Sequence, residues 1–310
     1  MKWCVLPFLA AACLLGQESS STKLIPDLNG NLVPTTSVSE TQTPNGVQIT
    51  EKLQSINGGL VPRERVEERV IKDDASGRIV ERIVHRYDQT GNPGPPEKQV
   101  IEEQKTGSGS TTRSTTYRGD ISGNMVLYER SSSESHDNGS DRSTETVVER
   151  QTMNGLDTVE KKTVTQNGSK DDYQENAVTY RKGENGFFPA LKVSTTHSVQ
   201  NGIATENSAE YEVGSSGGLE LHSQKVSRVV KNPDGSQTSE VDLYGKGVPG
   251  TVDSADAKLQ LKEHDIVEKK PGPGGTVRET VAVRRPTISD PNTLGPERII
   301  SETVCRGKCQ

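Results

Sequence analysis

Thr146-Val147-Val148-Glu149-Arg150-Gln151-Thr152-Met153-Asn154-Gly155 is followed almost at once by Val159-Glu160-Lys161-Lys162-Thr163-Val164-Thr165-Gln166-Asn167-Gly168. Each half is a run of Val, Thr and charged residues, whose β-branched content suits a pleated backbone. Each ends in Asn-Gly, the strongest short-range signal for a hairpin turn. The same unit recurs along the chain. Glycine-bearing turns from Gly46 to Gly250 return about every 16 residues, and a fixed period is to be read before any local feature. Seven of these turns are Asn-Gly, among them Asn57-Gly58, Asn185-Gly186 and Asn201-Gly202. Removing the turn leaves strands of about 12 residues, roughly 40 Å long. Short turns make sequence neighbours pair, so the reading is all-β: a repetitive antiparallel meander of long strands forming an open or elongated sheet with little core.

Composition agrees with a thin core. Only 29% of the 310 residues are hydrophobic and 4% aromatic, well below ordinary globular usage. A largely disordered secreted chain is therefore an alternative reading. Against it, 37 basic and 43 acidic residues leave a net charge of only −6, so opposite charges are available to pair across strands. No block of Lys and Arg interleaved with aromatics is present to follow a phosphate backbone, and no nucleic-acid partner is expected.

Along the chain, residues 1–16 read as a secretory signal: Lys2, then a short apolar run from Trp3 to Leu15, too short for a permanent membrane helix. Ala10-Ala11-Ala12-Cys13 offers a rival cleavage site at which Cys13 would carry a lipid. Residues 17–50, rich in Ser, Thr and Pro, read as a flexible leader, although Asn29-Gly30-Asn31-Leu32-Val33-Pro34 is echoed by Asn57-Gly58-Gly59-Leu60-Val61-Pro62. Residues 51–304 form the β-repeat region. In Arg63 to Ile71 and Arg78 to Tyr87 the apolar residues fall four apart, which also permits a helix pair; β-branched content favours strands. Ser254 to Glu263 has the pattern of one short helix. Residues 305–310 form a tail in which Cys305 and Cys309 are expected to close a disulfide in an oxidising compartment.

Arg86-Tyr87-Asp88-Gln89-Thr90-Gly91-Asn92 resembles one unit of the tyrosine-aspartate (YD/Rhs) hairpin repeats of large bacterial surface and toxin-shell proteins. The resemblance covers about twenty residues, and implies a structural β-shell or surface ribbon rather than catalysis.

Motifs of chemical appearance stand in the wrong context. Gly214-Ser215-Ser216-Gly217-Gly218 matches a nucleophile elbow, with His222 near, but strand-like alternation rather than a helix follows it. Gly245-Lys246-Gly247-Val248-Pro249-Gly250 matches a dinucleotide fingerprint, yet Pro249 sits where the helix should begin. The histidines His85, His136, His197, His222 and His264 are scattered without metal-ligand spacing. Asp137-Asn138-Gly139-Ser140-Asp141 and Asp171-Asp172 lack the twelve-residue calcium pattern. The expectation is thus no catalytic, cofactor or metal residue, and an extracytoplasmic bacterial structural or interaction protein. Its partner would be another protein or an envelope polysaccharide, met in part through a free sheet edge. The alternative is an extracytoplasmic carbohydrate-active hydrolase or binding module, with acids such as Glu149 and Glu160 flanking a glycosidic bond.

Overall fold

The structure, a computed structural model, describes residues 19–120, 122–214, 216–246, 258–287 and 293–307. Valine, threonine and charged runs form strands wherever the turn chemistry brackets them. The first six are β1 (Ser19–Pro26), β2 (Leu32–Gln42), β3 (Gln48–Ile56), β4 (Gly59–Asp74), β5 (Gly77–Arg86) and β6 (Glu97–Thr106). Then follow β7 (Gly109–Gly119), β8 (Met125–Asp137), β9 (Asp141–Thr152), β10 (Gly155–Gly168), β11 (Asp172–Gly183) and β12 (Gly186–Gln200). The last six are β13 (Ile203–Val213), β14 (Leu219–Lys231), β15 (Gln237–Gly245), β16 (Gln260–Pro271), β17 (Thr276–Arg284) and β18 (Arg298–Arg306).

Every strand pairs antiparallel with its sequence neighbours, as the turns dictate. The meander does not stay open. β1 also pairs with β18, from Ser20 opposite Arg306 to Leu24 opposite Glu302, which closes the 18 strands into a barrel. The open or elongated sheet expected from the period is corrected, and with it the free edge for strand addition, because closure pairs both edges.

A recurrent device accompanies closure. In β10, Thr158 faces Glu149 and Glu160 faces Val148, leaving Val159 without an opposite residue. The same single extra residue stands near the start of β2 (Thr35), β4 (Arg63), β8 (Tyr128) and β12 (Ala190). It stands likewise in β14 (His222), β16 (Lys262) and β18 (Ile300). Of the even strands only β6 lacks it there, and its hairpin instead runs through a loop pinned by a bridge between Tyr87 and Pro93. β-Bulges bend a strand and raise its right-handed twist, so a ring of them at one end helps to curve the ladder until it meets itself.

Two further expectations are corrected. The segment read as a flexible leader contains β1 and β2, because Asp27 closes a hairpin there and the Ser/Thr-rich arms pair with each other. The Cys-bearing tail begins inside β18, which runs to Arg306. The segments that also permitted helices are β4 and β5, and the end of Ser254–Glu263, from Gln260 on, is β16. The signal segment, Cys13, Cys309 and Ser254 to Ala257 lie outside the described residues.

Directly opposed residues share a face, so the registers sort the side chains into two sets. Val80, Val84, Glu97, Thr116, Val283 and Ser301 fall in one set and are buried; in the other, short residues such as Ser143, Thr165, Thr196 and Thr205 remain exposed. Curvature crowds the concave side and splays the convex one, so the first set is the inner face. Buried apolar side chains are Val80, Val84, Ala282 and Val283, and among the described residues no large side chain is fully buried. An 18-stranded barrel is too wide for opposite walls to meet, and an interior of this polarity holds water. The outer face is also polar: Arg113, Glu145, Lys161 and Arg228 sit mid-strand on it. In a bilayer each such cation would cost roughly 2–4 kcal/mol near the midplane, so this face suits water. No helix among the described residues is long and apolar enough to cross a membrane.

Candidate functional site

The inner face of β2 to β7 carries the densest charge network. Glu68 faces Arg82 across the β4–β5 ladder, and the carboxylate accepts from the guanidinium at 2.6 Å. Two positions along, Arg86 lies 3.5 Å from Glu64 and 3.2 Å from Glu97 on β6. Glu97 also accepts from Arg118 Nε on β7 at 2.9 Å and from the Gln99 amide at 3.0 Å. The Arg118 guanidinium in turn stacks 3.6 Å above the Tyr128 ring, the bulged residue of β8. Alternation explains this geometry: even-numbered side chains of β4 and β5 and odd-numbered ones of β6 point inward, and the registers place Glu64 opposite Arg86, Glu68 opposite Arg82 and Glu97 opposite Arg118.

Glu97 is the keystone, with a side chain only 7% exposed. Burial pushes its carboxyl up, but hydrogen bonds from Arg118 and Arg86, the charge of Arg86 and the Gln99 amide outweigh that and hold it below the ordinary value. Beside the network lies a depression of about 440 Å³ lined by Glu40, Gln48, Thr50, Glu64, Arg82 and Gln99, among others. It is polar and without an aromatic platform, and the cations lining it are already paired with carboxylates. The rest of the inner face is hydroxyl-rich, with Ser133 and Thr146 at 2.8 Å, Ser135 and Thr144 at 2.9 Å, and Thr195 and Ser208 at 3.2 Å. On β16, Asp265 is pushed up by burial, by the charge of Glu263 and by a hydrogen bond with that second carboxyl, while Val241 and Val283 stand opposite it on the neighbouring strands.

The residues singled out in the sequence are not brought together. Glu149 faces Thr158 on the outer face and Glu160 faces Val148 on the inner face, so the sheet separates the two acids. Ser216 donates to Glu220 at 3.3 Å, while His222 sits 3.7 Å from Glu212. Gly245 ends β15, and Gly247 to Gly250 lie outside the described residues. Asp137 caps its own turn, accepting from the Gly139 N–H at 2.9 Å and pairing with Arg142 at 2.9 Å. Among the described residues no three His, Cys, Asp or Glu side chains gather to hold a metal. Cys305 stands on the inner face of β18 opposite Ser21 and Val277, and its expected partner Cys309 lies outside the described residues.

Sequence reading missed the network and one turn. Glu97 and its arginines are 11 and 21 residues apart, a separation that means nothing until the registers are known. The turn was legible: Asp27-Leu28-Asn29-Gly30-Asn31 and Asp120-Ile121-Ser122-Gly123-Asn124 share the Asp-x-x-Gly-Asn spacing of Asp88 to Asn92. In all three the aspartate accepts backbone N–H groups two and four residues on, at 2.8–2.9 Å, and a glycine follows at positive φ.

Fold and inner face together define a class: a wide, closed antiparallel barrel, water-filled and stabilised by cross-strand ion pairs. No family model, curated protein or solved structure matches the chain.

Proposed function

We propose that the chain is an exported bacterial structural or interaction protein of the cell envelope, surface or secreted fraction, and that it is not an enzyme. The observation that carries this reading is the use of charge. Glu97, Arg86, Arg118, Glu68 and Arg82 neutralise one another across neighbouring strands, which holds a thinly apolar wall together and keeps the Glu97 carboxyl below its ordinary value. The Asp-x-x-Gly-Asn turns at Asp27 and Asp120 add support to a hairpin-repeat shell of the YD/Rhs kind. Export follows from the signal reading, and mass spectrometry of the mature N-terminus separates a free chain from one lipidated at Cys13. A count of zero free thiols supports the Cys305–Cys309 bridge. The decisive assay incubates the purified full chain with panels of polysaccharide and ester substrates. No turnover is expected; hydrolysis abolished by Glu160→Gln or Glu97→Gln in a folded protein would replace this reading with the carbohydrate-active alternative.

A further inference from the structure

The seven Asn-Gly pairs that punctuate the meander are not equivalent once it is folded. All seven asparagines are exposed, so solvent does not tell them apart. The N–H of the following glycine does. Gly46 donates to the Thr43 carbonyl at 2.9 Å, Gly139 to the Asp137 carboxylate at 2.9 Å and Gly168 to the Ser140 carbonyl at 2.8 Å. Gly155 and Gly186 are the first ladder residues after two-residue loops, opposite Thr152 and Gly183, the place from which a turn donates its closing hydrogen bond. Gly58 and Gly202 stand one position earlier, inside the loops closed by the pairing of Ile56 with Gly59 and of Gln200 with Ile203, where the turn uses no N–H. Among the described residues neither of these two N–H groups meets an acceptor, and a Cβ on either glycine would meet nothing within 4 Å. Their asparagines stand apart as well. Asn57 and Asn201, at φ 50° and 51°, are the only non-glycine residues at positive φ among those described. That left-handed backbone, which the two-residue loop demands, is strained for a residue with a side chain. Strain raises the energy of the closed turn and so lowers the cost of leaving it.

We propose that Asn57 and Asn201 are the sites at which the folded chain modifies itself, by deamidation. The backbone nitrogen of Gly58 or Gly202 attacks Cγ of the asparagine before it. The new C–N bond closes a succinimide, and the amide nitrogen leaves as ammonia, taking the proton that the glycine gives up. Water then adds to one of the two ring carbonyls and opens the ring, to aspartate by one route and to isoaspartate by the other, with no oxidant, metal or enzyme required. Each event puts a new carboxylate on its loop, and two of them take the net charge from −6 to −8. The isoaspartate route also adds one carbon to the backbone of the loop between β3 and β4 or between β12 and β13, and loop length sets the register of a hairpin. At the other five sites the nucleophile is held by its hydrogen bond, which must break before the ring can form. One such bond slows the step about five- to tenfold. The chemistry needs no partner and is independent of what the barrel binds.

Purified full chain, kept folded in mildly alkaline buffer or unfolded in urea, is sampled over weeks by peptide mass spectrometry, with isoaspartate counted by methyl transfer from protein isoaspartate methyltransferase. In urea the seven sites are expected to react alike. In the folded chain Asn57 and Asn201, each scaled to its own rate in urea, are expected to run about fivefold or more ahead of the other five. Asp137→Ala, which takes away the acceptor of the Gly139 N–H, is expected to bring Asn138 up towards them at unchanged circular dichroism. Should that variant lose its β spectrum, the ordering of the seven sites in the unaltered chain carries the test alone. Folded rates that are equal at all seven sites, or fastest where the glycine N–H is bonded, overturn the proposal, as does an Asn138 rate indifferent to Asp137→Ala in a folded variant.

Discussion

Glu97 concentrates the electrostatics of the wall into one side chain. It is buried, whereas its partners Arg86 and Arg118 are 59% and 47% exposed, so removing its charge leaves two cations that water can still solvate. The loss is then that of charge-assisted hydrogen bonds rather than of a wholly buried pair. Glu97→Gln is expected to lower stability by about 2 kcal/mol in urea unfolding. Lys182→Gln, which breaks an exposed 2.6 Å pair with Asp157, should change it by less than about 1 kcal/mol. Equal effects would mean that the Glu97 network is no better sheltered than an ordinary surface pair. The turn aspartates set the acid limit. The Thr90 hydroxyl and Asn92 N–H hold Asp88 at about 2, the Ser76 hydroxyl and N–H hold Asp74 at about 2, and Asp27, Asp120 and Glu97 are also lowered. A depressed carboxyl stabilises the fold above its unfolded pKa, and that contribution disappears as pH falls through the folded value. The melting temperature should therefore hold steady above about pH 5 and fall steeply between about pH 4 and pH 2. A flat profile across that window would dismiss the turn hydrogen bonds as a source of stability.

At the scale of the element, strand type and turn positions were legible, because Asn-Gly and Asp-x-x-Gly-Asn act through residues a few positions apart. Strands of 8 to 16 residues bracket the expected 12. The bulges were not legible: Val159 or Ala190 differs from its neighbours only in facing nothing, a property of the partner strand. The apolar and polar alternation is ragged for the same reason, since each bulge shifts the parity of the strand it enters. Ser/Thr-rich β1 and β2 looked like a leader because their pairing is cross-strand hydrogen bonding, which leaves no apolar trace. Close backbone approach makes a sharper element-level prediction. A Cβ at Gly109, the first residue of β7, would stand 1.8 Å from the Ser135 carbonyl oxygen of β8, whereas one at Gly107 in the preceding turn would meet nothing within 4 Å. Gly109→Ala must displace backbone and should cost about 2–3 kcal/mol. Gly107→Ala should be neutral or stabilising by up to about 1 kcal/mol through the unfolded chain. Chemical denaturation of the two variants checks this, and indistinguishable midpoints would refute the β7–β8 spacing.

Closure belongs to the whole molecule and was illegible in the sequence, because it rests on a pairing between residues 20–24 and 302–306 to which no local pattern points. Twist accumulating over seventeen hairpin-linked strand pairs, sharpened by the bulge ring, brings β18 beside β1; period and composition alone leave the sheet open just as readily. The seam has the fewest opposed pairs in the ladder, five, so it is where the barrel is most simply interrogated. Ser21 and Cys305 are directly opposed there on the inner face. Opposed antiparallel residues have Cα atoms about 4.5 or 5.5 Å apart, within the range that a disulfide spans without moving backbone. Ser21→Cys, in a Cys309→Ser background that removes the competing thiol, should therefore oxidise to a covalently closed ring. By chain entropy a loop of this length stabilises by about 5 kcal/mol, so the oxidised form should melt well above the reduced one. In an open sheet the first and last strands lie far apart, the thiols stay free, and a full thiol count after mild oxidation would show that the meander never closes.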